Sequence, residues 1–332
     1  MKPLETDYAV GWEGVEGLIE GFKVKRRDDV DGGRIRDSLR DAGYGFKTVI
    51  PNPKPARFLA ADCSISFRET RYNAIWAAHA VAVYACFDAK EHRDIVVGNG
   101  FTRYTDLRYS SYVKAGEILP YSDADVRGNL ARMAFEFSSL GKAYEELGDA
   151  SKPDYILVDG SIYTNKRNLE DHKTEHPEGK EAHEAFEKAL SLGKTIGLVE
   201  DSHATDLSRE LGYGFTNLLL FDAALGDGEY VVDKRDGVNV CYLKLPPKPL
   251  PFFPSGMSQP LTVRWEFPWE GFDKALDALA GIWMEEDDIH HPQLYPVRIA
   301  DHLTRRVKTS GILEGIANAN RLLPRYRDLR NG

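Results

Sequence analysis

The chain has 332 residues, 42% of them apolar and 29% charged, with a formal net charge of −9. This is an ordinary globular composition with enough length for a substantial core, and no stretch approaches the roughly 20 apolar residues of a membrane span. The acidic balance leans against a general nucleic-acid binder, although Lys and Arg can gather locally whatever the net charge.

The opening MKPLETDYAVGWEGVEG lacks an apolar segment after a basic start and carries acids, which argues against a secretory signal or transit peptide. A cytoplasmic protein is expected. Cys63, Cys86 and Cys241 lie far apart without metal-ligand spacing, so they read as small apolar residues.

Residues 1 to about 50 read as a partly helical arm with a basic run, Lys23–Arg27. Residues 51–57, PNPKPAR, read as an extended linker into a main domain over 51–310, and 311–332 as a basic tail containing Arg321, Arg325, Arg327 and Arg330. FLAADCSISF is an apolar strand that stops at Asp62. IWAAHAVAVYACF predicts one or two buried strands, with a turn at Gly98–Gly100 after them. Residues 122–147 predict a helix capped by Ser122 with Asp125, its apolar face made by Val126, Leu130, Met133, Phe137, Leu140 and Tyr144. DYILVDGS and TIGLVEDS are strands ending in acids. LLLFDAALGDGEYVV, CYLKL and LTVRWEFP predict more strands, with PPKPLPFFP as a loop, and helices follow near 269–286 and 296–308. Together these predict an α/β or α+β sheet covered by helices.

AADCS and LVDGS form the informative pair. If their strands are neighbours, Asp62 and Asp159 emerge at one edge and repel unless a cation neutralises them. An oxygen-only site suits Mg2+ or Mn2+. Glu136 lies at the border of its helix's apolar face, and Arg132, one turn earlier, is placed to position it. An ordinary i,i+4 ion pair is the alternative, and spacing leaves both open. In YPVRIADHLTRRVK, Val297, Ile299, Ala300, Leu303 and Val307 form the buried face. Arg298, His302, Arg305 and Arg306 form a cationic one, suited to phosphates with His302 as acid or metal ligand, or simply to water. Two Asp, a helical Glu and a further ligand or acid would make a phosphodiesterase.

In order and approximate spacing, AADCS at Asp62, RMAFE at Glu136, LVDGS at Asp159, RWEFP at Arg264–Pro268 and YPVRIADH at His302 resemble the NurA nuclease family, from about Phe58 to Asn320. The resemblance implies an RNase H-like mixed sheet flanked by helices, with further N- and C-terminal helical elements. It also implies Asp62, Glu136, Asp159 and His302 as catalytic and metal-binding residues for Mn2+ or Mg2+ (two ions), and a ring-like homodimer. The implied activities are 5′-to-3′ exonuclease on DNA and endonuclease on single strands. They act on single-stranded DNA and duplex ends, in double-strand break end resection with a HerA-type hexameric ATPase. Two positions depart from the pattern: Cys63 stands where Gly is common, and Glu200–Asp201 where many members have Lys. Glu200 and Asp201 are secondary candidates, as are Arg264 and Glu266, which share a strand face and have a structural reading too.

Other features are set aside. DHKTEH reads as an exposed loop, although His172 and His176 are one turn apart. MEEDDIHHP reads as a frayed, solvated helix end, and His79 as a satisfied core histidine. Two alternatives stand beside the nuclease: a catalytically silent subunit that docks on a translocase or clamps DNA, and an actin-like phosphotransferase. The latter needs a Gly-rich adenosine loop that is absent here.

Overall fold

The computed structural model describes residues 30–70, 74–88, 90, 103–118, 123–199, 203–250, 253–257, 260–286, 291 and 293–320. Lys23–Arg27, the Gly98–Gly100 turn, Glu200, Asp201 and the arginines from Arg321 onward lie outside these residues. Among the described residues no helix is long and apolar enough to cross a membrane.

Helix α1 (Gly32–Asp41) starts where the Asp31 carboxylate accepts from the Arg34 amide, at 3.0 Å. Its Ile35 and Leu39 are buried in the main core. Strand β1 (Lys47–Thr48) adds to the edge of the sheet. Three long strands follow: β2 (Ala56–Glu69), β3 (Ala74–Phe87) and β4 (Tyr104–Ile118). Then come α2 (Ala124–Glu146), β5 (Tyr155–Asp159), α3 (Ile162–His172), α4 (Pro177–Ser191) and β6 (Thr195–Val199). The rest comprises α5 (Asp206–Glu210), α6 (Asn217–Ala224), β7 (Glu229–Arg235), β8 (Val238–Leu245), a small hairpin of β9 (Pro249–Leu250) and β10 (Phe253–Met257), and β11 (Leu261–Phe267). Helices α7 (Asp273–Glu285), α8 (Tyr295–Arg306) and α9 (Thr309–Ala319) end the described chain.

Among the described residues nine strands form one sheet in the order β1-β7-β8-β11-β6-β5-β2-β3-β4. Within it, β4-β3-β2-β5-β6 is the RNase H-like core: three antiparallel strands in sequence, then β5 and β6 parallel to β2. Such parallel pairs need crossovers, which α2 and the α3–α4 pair supply. Helices cover both faces, so β3 is apolar almost throughout instead of alternating. Its Ala82 and Tyr84 pack with α2 in the main core, while Val81 and Val83 meet Ile299 and Ala300 of α8. Ile75 and Ala77 meet Leu313 and Ala317 of α9.

Several expectations are corrected. Asp123 stands at the N-cap of α2, in the left-handed region with φ 62° and without a side-chain cap bond, while Ser122 lies outside the described residues. Val126 is 40% exposed, because the buried face turns toward Ala131, Ala134 and Phe135. LLLFDAA is helix α6 rather than strand: the Thr216 side chain accepts from the Leu219 amide and starts a helical turn. PPKPLPFFP contributes the β9–β10 hairpin, and a third helix, α9, follows the two expected C-terminal ones.

At Glu286 the end of α7 is not solvated, while Asp287–His290 and Pro292 lie outside the described residues. Glu286 is buried and accepts from Tyr104 Oη and the Tyr295 amide, at 2.8 and 2.9 Å, and from Arg298 at 2.7 Å. It thereby ties β4 to the first turn of α8, where a carboxylate also complements the helix dipole. His79 is a satisfied core histidine: its Nδ1 faces the Thr304 carbonyl at 3.2 Å and its Nε2 the Ser111 hydroxyl at 2.8 Å.

Residues 49–53 are tied to the body: the Asn52 amide donates to the Asp277 carbonyl at 3.0 Å and the Ile50 amide to the Asp277 carboxylate at 2.9 Å. Gly281 of α7 permits that approach, since a Cβ there would lie 2.4 Å from Pro53 N and 2.7 Å from Asn52 N. Helix propensity alone gives Gly281→Ala a gain of about 1 kcal/mol. The clash reverses the sign, and a net loss of about 1–3 kcal/mol is expected from urea unfolding. A raised midpoint would show that this segment does not press on α7.

Candidate active site

The site begins at a mismatch of strand lengths. β2 pairs with β5 only as far as Ala61↔Val158, yet β2 continues to Glu69. Beyond that register the sheet has a notch on one side of β2. One position further, Asp62 and Asp159 stand side by side at its lip. Asp62 is thus not at a strand end: it sits mid-strand, because β3 pairs along all of β2 and Ile65 and Phe67 keep contributing apolar contacts beyond it. Cys63, on the opposite face, packs with Ala131 and Phe135 of α2, so no turn is needed there. Asp159 does end its strand, followed by Gly160 at φ 100° and by Ser161, whose hydroxyl accepts from the Thr164 amide and caps α3.

Both aspartates are held from the α8 side. The Thr304 hydroxyl, fully buried, donates to Asp62 Oδ2, and the Gln293 amide donates to Asp159 Oδ1 at 2.6 Å. Neither partner was singled out from sequence. Thr304 carried a readable signal as a polar residue on the apolar stripe of its helix, and Gln293 carried none. The Ser64 hydroxyl, two residues past Asp62 on the same strand face, is buried and has no protein partner among the described residues.

Glu136 comes from α2 and is buried, at 5% exposure. Its Oε2 accepts from Arg132 at 2.5 Å, so the positioning and ion-pair readings describe one contact. Burial, opposed by the Arg132 charge and reinforced by Asp62 and then Asp159, pushes the Glu136 carboxyl up to about 8. That both aspartates act on it places the three carboxyls in one electrostatic neighbourhood. A divalent cation fits this donor set: acids only, partly desolvated, and mutually repelling when empty.

The other candidates lie elsewhere. Arg264 and Glu266 are buried and paired at 2.5 Å. Glu266 accepts from Ser161 Oγ at 2.9 Å and the Tyr163 amide at 2.8 Å, securing the turn after Asp159. His302 lies on the exposed side of α8, with Nε2 2.9 Å from Arg306 Nη2. Arg305 is exposed beside Asp301, whereas Arg298 is held by Glu286.

The stability of the metal-free protein carries a signature of this crowding. Below the ordinary carboxylate range Glu136 is protonated in both folded and unfolded chains. As pH rises the unfolded chain ionises first and the folded one only near 8, so stability falls across that window. With EDTA present, Glu136→Gln is expected to melt above wild type by a margin that opens between about pH 5 and pH 8, reaching a few kcal/mol. Mn2+ is expected to reverse the ranking. Parallel melting curves across that range would refute the crowding.

Among curated proteins nothing matches the chain significantly. Of solved structures, the chain is similar to the NurA nuclease from Sulfolobus solfataricus, with TM-score 0.54 and 14% identity, covering 94% of this chain and 96% of that one. It is also similar to a NurA solved with manganese, with TM-score 0.51 and 12% identity, covering 93% and 98%. A family model described as the NurA domain matches residues 57–306, the span that holds all three carboxylates, and the chain belongs to the NurA family.

Proposed function

We propose that the chain is a metal-dependent deoxyribonuclease working at Asp62, Glu136 and Asp159. The observation that carries this reading is the side-by-side placement of Asp62 and Asp159 at the notch beside β2, with both raising the pKa of the buried Glu136. Membership of the NurA family supports it.

Bound divalent metal, as two Mn2+ or Mg2+ ions, would activate water and stabilise charge on the cut phosphate. The protein's own part is to present fixed oxygens. Thr304 and Gln293 orient Asp62 and Asp159, and Arg132 orients Glu136. We assign Arg305 and Arg306 to DNA phosphates and His302 to proton donation or metal binding at the exposed rim of α8. Arg298 would reach DNA only by leaving Glu286.

The finer assignments rest on the family resemblance. They are 5′-to-3′ exonuclease and single-strand endonuclease activity on DNA ends, a homodimeric working form, and docking on a HerA-type ATPase in end resection.

End-labelled single-stranded and duplex DNA is expected to be degraded with Mn2+ or Mg2+ and spared in EDTA. Asp62→Asn and Asp159→Asn should each lower the rate by about 100-fold or more with folding intact. Metal-independent cleavage, or full activity in Asp62→Asn, would overturn the proposal. Thr304→Val is expected to cost about tenfold in rate, because it frees the Asp62 carboxylate to rotate. An unchanged rate would reduce Thr304 to a packing residue.

A further inference from the structure

The elbow between α3 and α4 gathers a second set of ligand atoms away from the carboxylate site. His172, Glu175 and His176 each offer one such atom, and these lie within 4.8 Å of one another. His172 Nδ1 is 2.7 Å from Glu175 Oε2, and the two imidazoles stack at 6.1 Å between centroids with 28° between planes.

The elbow is tightly built. The amides of Glu175 and His176 both donate to the His172 carbonyl, at 3.2 and 3.4 Å. Gly179 sits where a Cβ would lie 2.2 Å from that same oxygen, so α4 starts hard against the end of α3. Neighbouring cations are engaged with other acids: Lys173 with Glu170, and Arg127 with Glu178 at 2.7 Å. His183 also turns to Glu170, at 3.1 Å. Glu175 is thus left to the two histidines, at a helix C-terminus that favours positive charge.

We propose that His172, Glu175 and His176 bind a borderline transition-metal cation of the zinc class, with water completing a tetrahedral shell. Two imidazoles and one carboxylate are a zinc-type donor set, whereas the site at Asp62 offers hard oxygens. Tetrahedral ligands at zinc lie about 3.3 Å apart, so the half-buried histidines and the exposed Glu175 need only small rotations to close on an ion. The ion staples the elbow. α3 begins directly after the Asp159 turn, and α4 lies along the helix that carries Glu136, with Phe186 against Phe137 at 5.0 Å and Glu178 on Arg127. The staple therefore braces the frame of the carboxylate site without entering it.

The test uses the full chain without a histidine tag, in an Asp62→Asn/Asp159→Asn background that disables the oxygen site. Co2+ titration followed by visible absorption is expected to give one equivalent with tetrahedral d–d bands, displaced by Zn2+. His172→Gln/His176→Gln should weaken this binding by about 100-fold with unchanged circular dichroism. Glu175→Gln alone should weaken it by about tenfold. Zn2+ should raise the Tm of the parent and not of the double variant. Absence of a one-to-one Co2+ complex, a complex that survives the double substitution, or an equal Zn2+ effect on both Tm values would overturn the assignment.

Discussion

The site depends on confinement of like charge at a place the sheet leaves open. β2 outruns β5, and the lip of that gap carries Asp62 and Asp159 from adjacent strands, with Glu136 arriving from the helix above. Had β5 continued in register, ladder hydrogen bonds and apolar side chains would have filled the space. Because it stops at Asp159 and turns through Gly160, two half-buried aspartates stand there instead, and both act electrostatically on the buried Glu136. The electrostatic cost is visible in the reluctance of Glu136 to ionise. Buried charge of this kind weighs against stability, a cost that the proposed cation would offset.

Much of the surrounding architecture reads as support for that arrangement. The two aspartates are fixed from the C-terminal part of the chain, by Thr304 in α8 and Gln293 just before it. α8 is itself fixed by the buried Glu286 carboxylate, which joins Tyr104, Tyr295 and Arg298. On the other side, Glu266 and Arg264 of β11 secure the first turn of α3 and so the loop that follows Asp159. Each aspartate is braced through at least two elements distant in sequence. Packed interiors transmit small displacements of such elements with little give.

The core strands, the long helix α2 and the pairing of Asp62 with Asp159 were legible because apolar runs and strand-borne acids are local signals. What was not legible depends on neighbours. FLAADCSISF looked like a strand ending at Asp62 because its unbroken apolar run stops at that acid. Only the partner β3 along its whole length explains why the strand goes on. LLLFDAA carries too little periodicity to separate helix from strand, and the Thr216 cap decides it. Glu286 looked like one of several acids at a fraying end because its partners, Tyr104 and Arg298, lie on other elements. Thr304 and Gln293 are meaningful only through the carboxylates they touch. The family pattern, by contrast, was readable from five short motifs in order, which no single strand or helix reveals.

The clamp on Asp62 spans 242 positions of the chain and that on Asp159 spans 134. Contacts at such separations form late, since loop-closure entropy must be met before they contribute. A chain still emerging from synthesis, or one that has lost α8, has its acids but not their arrangement. On the proposed reading, metal affinity would be tied to completed folding, and a bound ion would in turn favour the folded state. The reach of that one threonine makes the orientation of Asp62 a property of the folded chain as a whole.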